Sequence, residues 1–123
     1  MLLEPSASFE ALQRDFRWEI PADFNIGRAV CDDWARRDPD RICLEHFSPD
    51  GRHLSLTYGA LAAQSSAFAH ALVSLGVKPG DRVALLLPQC FETVIAHLAI
   101  YKMGAIALPL ALLFGAEALE YRL

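Results

Sequence analysis

The chain has 123 residues, enough for a single core that buries roughly two-thirds of the surface its unfolded form exposes. Its net charge of −4, with no Lys/Arg cluster larger than the pair Arg36-Arg37, offers no electrostatic footprint for nucleic acid. Hydrophobic residues reach 54% and charged residues only 21%, an apolar excess that needs a cover, from a second copy or from further chain.

The start, MLLEPSASFE, carries an acidic residue where a secretory signal has basic ones, and it has no apolar h-region, so a cytoplasmic protein is expected. Residues 1–24 hold Pro5, Pro21 and the aromatics Phe9, Phe16, Trp18 and Phe24 among charges. A short helix and an N-terminal arm wrapped on the body are expected there, with residues 25–123 forming the α/β unit. Asn25 then caps a helix over 26–37 in which Ile26, Val30 and Trp34 recur at helical spacing. Asp32 and Asp33 each precede an arginine by four positions on a solvated face, and Asp38-Pro39 stops the helix.

The stretches ICLEHF and HLSLTY alternate in polarity, placing Ile42 with Leu44 and Leu54 with Leu56, around the turn Ser48-Pro49-Asp50-Gly51. A hairpin is expected, since proline presets one turn dihedral and glycine accepts a positive one. Thr57 caps a helix over 58–75 with Leu61, Phe68, Leu72 and Leu75 on one face, and Gly76 ends it. After the turn GVKPGD, the apolar run RVALLL suits a strand buried on both faces of a parallel sheet. A helix over 91–103, apolar nearly all round, is expected to be covered on more than one side. Gly104 ends it and AIALPL forms the next strand, so 82–109 is a right-handed parallel βαβ unit. GAEALEYRL opens a further helix in which the chain stops. The uncharged run 103–116 is shorter than the ~18 residues of a membrane span and contains Pro109, so it reads as core.

Chemistry-bearing residues are sparse. Cys31, Cys43 and Cys90 form no C-x-x-C pair, and free thiols in a reducing compartment fit them. His46 and His53 could approach across the hairpin as metal ligands, although half-exposed strand positions suit them better. Asp32-Asp33 point to different helix faces, against paired acid/base work, and Ser65-Ser66 lack a G-x-S-x-G elbow. The strand–turn–helix VALLLPQCFETVIAHL has the outline of a phosphate site, but its turn is Pro88-Gln89-Cys90, without glycine and with one backbone donor removed. Cys90 at the helix N-terminus is a candidate nucleophile with no histidine beside it, and Glu92 fits the helix dipole without a function.

Taken in order, FNIGRAVCDDWARRDPDR, LTYGAL, LGVKPGDRVALLLPQCFETVIAHLAIYKMGAIALPL and LFGAEALEYRL resemble the N-terminal part of the acyl-CoA synthetases. These belong to the AMP-binding, acyl-adenylate-forming superfamily, and the last stretch is similar to the short- and medium-chain members. The resemblance implies a partial N-terminal α/β subdomain. It also implies a two-step ligase reaction of fatty acid metabolism: a carboxylate attacks the α-phosphate of ATP, then the thiol of CoA displaces AMP. ATP, Mg²⁺, CoA and a small carboxylate are the implied cofactors and partners of a complete enzyme. The phosphate loop, adenine motif, ribose-binding aspartate and catalytic lysine of that family come later than Leu123. On this resemblance residues 1–123 hold no catalytic, cofactor-binding or metal residue. The chain alone is therefore expected to be inactive, to bind none of the cofactors and to self-associate. Two alternatives stand beside it: a stand-alone α/β interaction domain, and an adenylation domain with a different acceptor thiol.

Overall fold

The computed structural model describes residues 7–48 and 50–123. Pro5 and the opening of the arm, and Pro49 of the hairpin turn, lie outside the described residues. The short helix of the arm forms as α1 (Phe9–Asp15), where the Ser8 hydroxyl accepts from the Ala11 N–H at 3.2 Å. In its described part the arm does not wrap the body as expected, for Phe9, Trp18, Ile20 and Phe24 are all exposed.

Helix 26–37 forms with an irregularity no periodicity announced. Asn25 Oδ1 accepts from the Arg28 N–H at 3.0 Å, and Arg28–Asp32 is a π-helical turn in which the Asp33 N–H donates to the Arg28 carbonyl. α2 (Asp33–Arg37) completes the helix. One extra residue in the turn rotates the later side chains about the helix axis. The apolar stripe Ile26, Val30 and Trp34 is exposed, and Gly27 and Cys31 are buried instead. Gly27 permits this because its missing side chain lets another helix approach: a Cβ there would lie 3.0 Å from Lys102 Cγ and 3.2 Å from the Leu98 carbonyl oxygen. The expected charge pairs shift too, with Asp33 meeting Arg36 and Arg28, not Arg37.

β1 (Ile42–Phe47) and β2 (His53–Thr57) make the antiparallel hairpin, with Leu44 opposite Leu56 and Glu45 opposite Ser55. Gly51 takes φ 84° and donates to the Ser48 carbonyl at 2.9 Å, closing the turn. The register slips between Ile42 and Leu44, so Ile42 is exposed while neighbouring Cys43 and Leu44 both pack on the core.

α3 (Tyr58–Ser74) begins at Thr57, whose hydroxyl oxygen accepts from the Ala60 N–H at 3.3 Å, and stops at Leu75 before Gly76 with φ 93°. Its buried positions are Leu61, Ser65 and Leu72, whereas Phe68 and Leu75, expected on that face, are exposed. β3 (Arg82–Leu85), α4 (Phe91–Lys102) and β4 (Ile106–Pro109) form the parallel βαβ unit, in which Val83 pairs with Ala107 and Leu85 with Pro109. A final short helix, α5 (Ala116–Glu120), ends with Arg122 and Leu123 both donating to the Leu119 carbonyl. Among the described residues the two sheets are separate and two-stranded.

α4 connects the two halves of the core. Its Ile95 and Leu98 pack with Cys31, Leu56 and Leu61, while Ala96 and Ile100 pack with Leu72, Leu85 and Ala105. The helix is covered on two sides, as its apolar surface requires, and a fully buried Ile100 alone contributes about 1.5–3 kcal/mol. β3 is not buried on both faces. It ends at Leu85, and Ala84, Leu86, Leu87 and Ile106 remain exposed, so its apolar run is not covered throughout.

Candidate functional site

The turn at Pro88-Gln89-Cys90 satisfies its own polar groups. Thr93 Oγ1 donates to the Pro88 carbonyl at 2.5 Å, Cys90 Sγ lies 3.4 Å from that same hydroxyl, and His97 Nδ1 lies 2.8 Å from the Thr93 carbonyl. Cys90 is in extended conformation at the N-cap of α4 and its side chain caps no backbone N–H. An anion at this turn would find the Thr93 hydroxyl already donated to the Pro88 carbonyl and no glycine to admit it.

Glu92, in the first turn of α4, is held below the usual carboxylate range by backbone N–H donation, by a hydrogen bond with Cys90, and by the charge of His46. Cys31 and Cys43 are pushed the other way, each thiol raised chiefly by burial, which favours the unreactive protonated form. Cys43 Sγ also donates to the Leu56 carbonyl at 3.2 Å.

The hairpin register does not bring His46 and His53 together as a ligand pair. Leu54 stands opposite His46, whose ring meets Phe91 edge-on at 6.0 Å, whereas His53 stacks on Phe47 at 4.3 Å and reaches Glu45 Oε1 at 3.2 Å. Among the described residues no three His, Cys, Asp or Glu side chains gather as a cation site.

The structure assembles one polar cluster that the sequence pattern did not announce. Lys102, in the last turn of α4, is only 10% exposed, and its Nζ lies 2.5 Å from Asp32 Oδ1. The same ammonium reaches Ser65 Oγ at 2.8 Å, Ser66 Oγ at 3.2 Å and the Ala62 carbonyl at 3.3 Å. Four acceptors surround three N–H bonds, so the charge is fully engaged inside the protein. Asn25 completes the cluster by donating Nδ2 to the Tyr101 carbonyl at 2.8 Å, one of the otherwise unpaired carbonyls at the helix end.

Asp32 therefore leaves the solvated face assigned to it and becomes the counter-ion of a buried lysine; the π-helical turn aims it there. Ser65 is fully buried and donates to the Leu61 carbonyl at 2.6 Å while accepting from Lys102, so its oxygen is not a free nucleophile. The signal in the sequence was a lone lysine in a helix apolar nearly all round, which must find an internal anion or pay for burial.

On the open side of the β3–β4 sheet a cleft of about 500 Å³ is bordered by Asp81, Arg82, Ala84, Leu108 and Arg122. Arg122 is already engaged, donating to the Ala118 carbonyl at 2.8 Å with its guanidinium 4.4 Å above the Phe114 ring.

Residues 31–123 match the family model described as AMP-binding enzyme. The chain is 41% identical over 90 residues to acetyl-coenzyme A synthetase 1 of Candida albicans, covering 72% of this chain and 13% of that protein. It is 33% identical over 128 residues to the acetyl-coenzyme A synthetase of Phycomyces blakesleeanus, covering 98% and 19%. A phosphinothricin tripeptide synthetase of Streptomyces viridochromogenes is 38% identical over 92 residues, covering 75% and 8%. Among solved structures, an acyl-CoA synthetase of Brucella canis superposes with a TM-score of 0.75 at 33% identity, covering 80% of this chain and 18% of that one. The chain thus spans under a fifth of the length of these relatives, and it resembles the N-terminal part of acyl-CoA synthetase structures.

Proposed function

The chain belongs to the AMP-binding enzyme family, and from that premise we propose that it is the N-terminal part of an ATP-dependent acyl-CoA synthetase. In the proposed reaction a carboxylate oxygen attacks the α-phosphorus of ATP and expels pyrophosphate. The thiolate of CoA then attacks the acyl carbon, forms the thioester and expels AMP. The carboxylate gains a phosphate leaving group that oxide itself could never be. The observation that carries this reading is the family match across residues 31–123, and the acetyl-CoA synthetases among the relatives support a short carboxylate as substrate.

We infer that the described residues do not hold Mg²⁺-ATP. They gather no acidic cation site, and the buried ammonium of Lys102 has all its donors engaged with Asp32, Ser65, Ser66 and Ala62. We assign this part of the protein a scaffolding role, with ATP, Mg²⁺, CoA and the acid held by other residues of the complete protein and the 123-residue chain inactive alone. The open face of the β3–β4 sheet supports a further proposal, that the chain alone self-associates. Three free cysteines support a reducing compartment, and we assign the cytoplasm. Among the described residues no helix is long and apolar enough to cross a membrane.

The likeness to the tripeptide synthetase supports a second reading, an adenylation domain whose acceptor is a thiol other than free CoA. Release of AMP from the complete protein separates the two. Dependence on both a carboxylate and free CoA supports the synthetase reading. AMP release unaffected by CoA supports the other. For the 123-residue chain, calorimetry with Mg²⁺-ATP should show no saturable heat, and clear saturation would overturn the scaffolding role.

A further inference from the structure

We draw no further inference here: the strongest candidate, the surface patch where the Arg37 and Arg41 guanidiniums lie 5.7 and 5.3 Å from the Trp34 ring beside Tyr58, carries nothing, because Asp38 and Asp40 flank those arginines in sequence and leave the patch without a net charge to select a partner.

Discussion

Lys102 Nζ lies 2.5 Å from Asp32 Oδ1, joining the last turn of α4 to the π-helical turn of helix 26–37. Both partners are withdrawn from water, the lysine more so, at 10% exposure against 31%. A pair of this kind adds modestly to stability while whole, yet losing one member leaves the other charge uncompensated. Replacing Lys102 by methionine should therefore destabilise the chain by about 3 kcal/mol, read as a lower urea midpoint. Asp32→Asn, which leaves the more deeply buried ammonium of Lys102 without its counter-ion, should cost at least as much, and the double variant should cost less than the sum of the two. A Lys102→Met variant as stable as the parent would show that the cluster does not secure the helix.

Gly27 sets how closely helix 26–37 can approach α4. A Cβ at this position would meet Lys102 N at 3.1 Å and the Leu98 carbonyl oxygen at 3.2 Å, and neither backbone atom can swing aside. Alanine gains about 1 kcal/mol in helix propensity over glycine. Overpacking costs about 1–3 kcal/mol, so Gly27→Ala should lower stability on balance. An increase in melting temperature would contradict the close contact.

Burial of Cys31 and Cys43 gives stability a dependence on alkaline pH. Both thiols are raised in the folded chain, so below the ordinary thiol range both states are protonated and the full stability is present. As the pH rises, thiols of the unfolded chain ionise first, and stability falls until the folded pKa values are passed. Urea midpoints should hold steady near neutrality and decline above about pH 8.5. Cys31→Ala should lessen the decline while lowering stability at pH 7. An unchanged slope would place the effect on other groups.

The exposed side of β3 and β4 carries the apolar Ala84 and Ile106 beside Arg82, with exposed Leu86 just beyond the strand, and borders unpaired strand edges. At rising concentration the 123-residue chain should show growing mass by light scattering and should bind a dye specific for apolar surface. Replacing Ile106 and Leu86 by lysine should reduce both signals. A monodisperse monomer without dye binding would contradict self-association.

Much of the fold is legible because single residues punctuate it. Thr57 and Gly76 bound α3, Gly51 closes the hairpin, and the nearly all-round apolar surface of α4 foretells two covered sides. The π-helical turn was not legible, since it leaves no compositional mark and is stabilised by distant contacts of Gly27 and Asp32. The helical spacing of Ile26, Val30 and Trp34 pointed to the wrong face, because Gly27 and Cys31 make the contact with α4. The bulge at Cys43 broke a strict alternation that propensity alone would keep. The turn at Pro88-Gln89-Cys90 could be set aside as a phosphate site from its lack of glycine, and Thr93 supplies the physical reason. The Lys102 cluster needed three helices in place before its partners could be named.

The central claim is that this chain is the N-terminal scaffold of an acyl-CoA synthetase. Carboxylate-dependent exchange between pyrophosphate and ATP, measured on the product of the complete reading frame and on the 123-residue chain, tests it most directly. Exchange that requires a carboxylate in the first protein and is absent from the second is the predicted result. No carboxylate-dependent exchange in the complete protein, or exchange by the short chain alone, would contradict it.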